Sequence, residues 1–319
     1  MHWYDEIKEE FIKNVAINYM QEISFEPFSI FPVVRTKKRS GVIAKYNKED
    51  WLRIGNINDY KRIGATQSVG DDYDVSSQPY NLEDISFHKD ITKTEAEEAD
   101  SPFDAVGDGT KFVINRMKLI IMSNFVNTYL NTGKWGNDYQ GTTDFTKWDD
   151  ANSTPIDDVL RFQDNIASLT GFTPNRMLIT PDVYRVLRSN ADIKNSLKVT
   201  SDKVVTADAL RRLFDMDTLT VMRTVRTTAK KKETATKNNT GYFADKKILL
   251  TYAPKNPSKY EPSGGYHLLK PNGGAKGDVA MDRIPMPQNN KALRVEGTAT
   301  LTPKLIAPDL GCLLYDVIA

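Results

Sequence analysis

The stretch that most limits how this chain can fold is residues 35–90, "RTKKRSGVIAKYNKEDWLRIGNINDYKRIGATQSVGDDYDVSSQPYNLEDISFHKD". It is polar, carries several glycines, and sustains neither a helical nor a strand-like apolar period over its length. It therefore cannot bury enough apolar surface to fold as a compact unit of its own. Two short pieces, "GVIAKY" and "YNLEDISFH", read as strands, which predicts a long two-stranded excursion from the body. A two-stranded ribbon is marginal in water by itself, so such an arm needs a surface to lie against. A disordered surface loop is the self-contained alternative. Trp51, Ile54, Ile57 and Ile63 argue against it, because disordered segments are poor in such residues.

The flanking segments have clear periods. Ile7, Phe11, Val15 and Tyr19 recur every four residues, one face of an amphipathic helix over 5–20. Asp5 and Glu6 lie at its start, where carboxylates favour the helix dipole. Such a helix docks either on its own core or, as a terminal arm, on a neighbour. "TKTEAEEADSP" reads as a short acidic helix ended near Pro102. One long helix is predicted from Thr110 to Leu130, with Val113, Met117, Ile121 and Phe125 on one face and Gly133 as the stop. It would be roughly 30 Å long. A polar connector with Trp135 and Trp148 follows.

From Pro155 the order is helix, strand, helix, helix, strand, an α/β pattern. "TPIDDVLRFQDNIASLTG" has Thr154 as N-cap, Pro155 in its first turn and Gly171 as its stop. "NRMLIT" is a buried strand, "PDVYRVLRS" and "TADALRRLF" are helices, and "DTLTVMRTV" is a strand. Residues 227–241 form a basic polar loop. "KKILLTYA", "YHLLKP" and residues 291–302 are further strands, and apolar segments close the chain.

The search for chemistry is mostly negative. There is no phosphate-loop or dinucleotide-binding glycine motif and no serine-hydrolase elbow. His2, His88 and His267 stand in separate segments, without the ligand clusters that metals draw on. The lone Cys312, in "LGCLLYDVI", reads as a small buried apolar residue and favours a reducing compartment. Lys and Arg total 43 against 42 Asp and Glu, a net charge of +1. That gives no general attraction to nucleic acid or an anionic membrane. No export signal or membrane span is expected: "MHWYDEIKEE" is acidic, and "KLIIMSNFV" is too short to cross a bilayer. The expectation is no catalytic residue, no metal site and no cofactor. Two basic clusters remain, Arg35 to Arg39 and Lys230 to Lys232. A solvated face is the default for both, although the first lies at the base of the polar arm.

The order of these pieces resembles the major capsid proteins of tailed bacteriophages, a fold shared with encapsulins and the floor of herpesvirus shells. The resemblance spans nearly the whole chain. It rests on "ISFHKDITKTEAEEADSPFD" entering the long helix, "FVNTYLNTGKWG", "GFTPNRMLITPDVYRVLRSNADI" and "RVEGTATLTPKLIAPDLG". It implies an α+β capsid fold with an N-terminal arm (1–34), an extended E-loop hairpin (35–90) and a peripheral domain with a long spine helix (91–154). An α/β axial domain (155–285) and a C-terminal strand returning to the peripheral domain, with a tail (286–319), would complete it. It implies a non-enzymatic shell subunit that assembles with itself as hexamers and pentamers and encloses double-stranded DNA without sequence-specific binding. The implied setting is the virion capsid, assembled in the host bacterial cytoplasm. The lack of a long helical leader implies a separate scaffolding protein; a portal protein is a further implied partner, and decoration proteins stay open. An encapsulin-type compartment shell is the alternative, and a soluble α/β enzyme a more distant one. On this reading Trp51, Ile54 and Ile57 are candidate contacts across an adjacent subunit, and Arg35, Lys37, Lys38 and Arg39 are candidates to pair with acids there. Arg185 and Arg188 are candidates for contacts around a symmetry axis.

Overall fold

The computed structural model describes residues 12–15, 26–45, 52–54, 76–99, 104–197, 205–230, 234, 236, 239–257, 262–272, 279–286 and 292–319. It is α+β, as expected, and two five-stranded sheets organise it. The first is built around β13 (Ala292–Leu305). Along one edge β13 pairs antiparallel with β4 (Asp84–Ile91), and along the other with β12 (Ala280–Met286) and then β11 (Gly265–Lys270). Thr300 marks the change, facing Asp84 on one side and Lys270 on the other. A short strand, β1 (Val33–Arg35), adds to β11 in parallel.

Helix α3 (Ala105–Tyr129) lies across this sheet. Val113, Met117 and Ile121, one face of the helix, pack with Leu293, Val295, Ala299 and Leu301, the alternate residues of β13. Gly297 falls in the same alternation. A Cβ there would lie 2.9 Å from Val113 Cγ1, so helix and strand can come this close only over glycine. The helix starts five residues before the predicted Thr110. Gly107 and Gly109 hide that start, since glycine weakens any helical reading, but the Asp104 carboxylate accepts a hydrogen bond from Val106 N at 3.0 Å and caps it.

The second sheet runs β5 (Asn137–Gln140), β14 (Gly311–Tyr315), β10 (Ile248–Thr251), β6 (Arg176–Ile179), β7 (Thr218–Val221). Its two faces bury different partners, following the strand period of two. Met177, Ile179, Ile248, Leu250, Cys312 and Leu314 face the helices α4 (Pro155–Thr170), α5 (Pro181–Ser189), α6 (Ala191–Ser196) and α7 (Ala207–Leu213). Leu178, Leu249 and Leu313 face the other way and meet Phe31, Phe125, Tyr129 and Trp135 at the end of α3. The long helix thus covers the first sheet with one part and closes the second with its last turn.

The two sheets interleave in sequence. β11 and β12 fall within 155–285 but belong to the first sheet; β5, within 91–154, and β14, in the tail, belong to the second. The tail is therefore a strand between β5 and β10. Of its two neighbours β10 was legible as a strand and β5 was not, because β5 is polar and pairs in parallel with a partner about 175 residues away.

The expected arm is present at its base as a hairpin. β2 (Ser40–Lys45) pairs antiparallel with β3 (Ser76–Asn81), from Ser40↔Asn81 to Lys45↔Ser76. "YNLEDISFH" is not one strand. It turns at Leu82, which is buried with Tyr266, Leu268 and Ile306 and whose N–H donates to Arg39 O at 2.8 Å. Near the N-terminus, residues 12–15 are helical and Ile12 is fully buried against the core under α3. Of the predicted face, Val15 is half-buried, and Ile7, Phe11 and Tyr19 lie outside the described residues.

Candidate functional site

The polar groups inside the body serve the fold. Trp148 Nε1 donates to Asp158 Oδ2 at 3.1 Å, Arg161 reaches Asp158 Oδ1 at 3.2 Å, and Asn190 Nδ2 donates to Trp148 O at 3.1 Å. Burial raises the Asp158 carboxyl, against the lowering effect of the Trp148 hydrogen bond. Cys312 is fully buried and its thiol is pushed far up by desolvation, so it carries no thiolate chemistry. Among the described residues no group of three His, Cys, Asp or Glu is placed to hold a metal ion, and no helix is long and apolar enough to cross a membrane. An open groove of about 480 Å³ lies at the foot of the β2–β3 hairpin. Gln78, Thr128, Lys134, Thr302 and Lys304 line it, a set without a nucleophile and base in reach of each other.

What the described surface offers is contact. Among the described residues the β2–β3 hairpin pairs with no other strand. Ile43 and Tyr80 rest its foot on Leu82, Tyr266 and Ile306, while Val42 on the opposite face is exposed. Beyond the hairpin, Ile54 is 75% exposed and Leu52 is also largely open to solvent. Trp51 and Ile57 lie outside the described residues. Arg35, Lys37, Lys38 and Arg39 are all exposed, yet they are not equivalent. Arg39 forms an ion pair with Asp84 of its own chain. The Thr300 hydroxyl, at 2.6 Å, and then Arg39 hold the Asp84 carboxyl below the usual range.

Arg185 and Arg188 are exposed on α5. The Arg188 guanidinium lies 5.8 Å from the centre of the Tyr184 ring, and that of Arg223 lies 5.9 Å from it, so one tyrosine carries two cations. Arg223 follows β7 at the far end of a sequence loop, and nothing in the linear order links it to Tyr184. Several exposed apolar side chains also escaped sequence reasoning. Leu160 lies on the outer face of α4 and Leu169 at its last turn on another side, and Val225 and Tyr242 face each other across the small hairpin of β8 (Val225–Thr227) and β9 (Thr240–Tyr242). For Leu160 a signal existed: it stands on the helix face opposite Val159, Phe162 and Ile166.

Three similarities bear on what such a surface is for. A family described as phage major capsid protein E matches residues 125–258. The major capsid protein of Burkholderia phage BcepMu is 26% identical over 324 residues, covering 98% of this chain and 97% of its own length. Among solved structures, a phage-related protein from Bordetella bronchiseptica RB50 superposes with a TM-score of 0.71 at 20% identity, covering 97% of each chain. A virus-like particle from Pyrococcus furiosus follows at 0.56 and 11% identity, covering 96% of this chain and 98% of that one. At those identities the two structures speak to the fold alone.

Proposed function

We infer that this chain is a phage major capsid protein that assembles with itself as hexamers and pentamers into an icosahedral shell around double-stranded DNA. The first sheet with α3 acts as the peripheral unit, the second sheet with its helices as the axial unit, and the β2–β3 hairpin as the base of the E-loop. The observation that carries this reading is the hairpin itself. It leaves the body with only its own partner strand and with exposed apolar residues on and beyond it, a state that costs free energy until a surface covers it. A second copy supplies that surface. Many modest contacts of this kind add up, because a subunit held by several neighbours gains avidity that no pair has alone. Heterologous contacts close into rings where the rotation permits.

The function is structural, with no catalytic step. The wall needs no sequence-specific grip on DNA, and a net charge of +1 suits enclosure without general attraction. A separate scaffolding protein and a portal are the partners such a wall requires, and decoration proteins are optional to it. The place of action is the virion, with assembly in the host bacterial cytoplasm. The full-length sequence relative is a phage protein, which favours a phage shell over an encapsulin-type compartment. Electron microscopy of the purified chain, alone and co-expressed with its scaffolding protein, tests the reading. Closed shells of one size class are expected, and uniformly small soluble particles under both conditions would overturn it.

A further inference from the structure

Two helices on one face of the second sheet, α4 and α5, carry unlike outer surfaces, and each lacks a partner of the kind the other supplies. Helix α4 is fastened to β5 by Phe162 stacked on Tyr139 at 4.0 Å and by Asn165 Nδ2 donating to Tyr139 Oη at 3.2 Å, and to the segment before β7 by Gln163 Nε2 donating to Phe214 O at 2.9 Å. Its outer face presents Asp157, Leu160 and Asp164, the leucine 42% exposed. No ion pair of Asp157 or Asp164 occurs among the described residues. The helix's only cation, Arg161, is turned to Asp158 and to the Phe162 ring, 4.9 Å away. Asp157 also suits the first turn of its helix, but Asp164, in the middle, has no such explanation.

On α5 and just after β7 the charge is reversed. Arg188 and Arg223 flank Tyr184 on its ring, and Arg185 stands beside them on α5. The nearby carboxylates are already used as caps. Asp182 accepts hydrogen bonds from Val183 N at 2.9 Å and Lys246 N at 2.6 Å, and Glu26 accepts them from Thr224 Oγ1 and Arg223 N. The guanidinium groups therefore keep their ring stacking and no carboxylate pair. No ion pair joins the two faces among the described residues, and a second copy of the chain can bring them together.

Resting on the shell reading above, we propose that the Asp157–Asp164 face of α4 docks on the Arg185–Arg188–Arg223 face of an adjacent copy, with Leu160 as the apolar part of the contact. The contact is head-to-tail, since it joins two different faces of the chain. That is the geometry that closes a ring of identical wedges. The charges set the register and reject a like-with-like approach.

Charge exchange tests this. D157R/D164R and R188E/R223E alter only exposed residues, so circular dichroism and thermal melting should match the unaltered chain. Each pair alone is expected to cut shell yield, read by negative-stain microscopy and sedimentation, by at least about tenfold. The four changes together are expected to restore it to near the unaltered level. Normal assembly by either folded pair variant, or failure of the folded fourfold variant to recover, would overturn the contact while leaving the shell reading intact. Failure of the unaltered chain to form shells under any condition would overturn the shell reading and the contact with it.

Discussion

His267 is enclosed by rings: Phe28 edge-on at 5.0 Å, Phe125 stacked at 5.8 Å and Tyr129 edge-on at 6.2 Å. Its Nε2 lies 3.2 Å from Pro27 O, and Nδ1 has no partner. A carbonyl only accepts, so Nε2 carries the proton and the ring is neutral. Burial lowers its pKa to about 4. The unfolded chain binds this proton near the ordinary value of about 6.5, so nothing is lost at neutral pH. As pH falls from there toward 4, the unfolded state gains a proton that the fold refuses, and stability declines until the folded pKa is reached. The linked loss at pH 5 is about 2 kcal/mol, and H267F should remove it, as urea titrations at pH 7 and pH 5 can measure. A second single-residue test lies in the connector before α4. A Cβ on Gly141 would sit 2.0 Å from Asp316 O, and backbone at that distance cannot yield as a side chain could. G141A is expected to destabilise the fold by about 3 kcal/mol or more in chemical denaturation. Neither site was legible in the sequence. "YHLLK" reads correctly as a strand, but which rings close over its histidine is decided by α3 and residues 26–31.

At the scale of elements, α3 is the piece on which both sheets depend. Met117 is fully buried between β13 and the residues around it, so M117A should cost about 2–5 kcal/mol through lost packing and the cavity left behind. D104A, which removes only the cap, should cost about 1 kcal/mol. Denaturant midpoints of the two variants separate these effects, and equal losses would contradict the packing described. The helix was readable because a four-residue apolar recurrence is local. The α/β run from 155 to 221 was readable for the same reason: Pro155, Gly171 and Pro181 punctuate it, and each helix and strand announces itself within about a dozen residues. β5 was not readable, since "NDYQ" has no apolar run and becomes a strand only because Cys312 to Tyr315 lie beside it.

At the scale of the whole molecule, the hairpin and its basic foot are the part that makes least sense in isolation. Arg35, Lys37 and Lys38 are exposed and, among the described residues, lack the internal acid that Arg39 has in Asp84. Replacing those three by glutamate, or Ile54 by aspartate, is expected to abolish shells while the subunit keeps its circular dichroism spectrum and melting temperature. Microscopy of the folded variants checks it, and normal shells would remove this face from the assembly. R39E is a poorer probe, because it would also break the pair inside the chain. The amino-acid sequence by itself determined the segments: a polar arm that cannot fold alone, one long helix, a helix–strand run, and no catalytic constellation. Local period, caps and turn residues suffice for that, since they act over a few positions. Only the tertiary structure decided which strands share a sheet, that the tail enters the second sheet, and that Tyr184 collects Arg223. Those outcomes depend on surfaces brought together from 39 residues apart for Tyr184 and Arg223 to 234 for Val33 and His267, and a linear pattern carries no record of which distant surface fits.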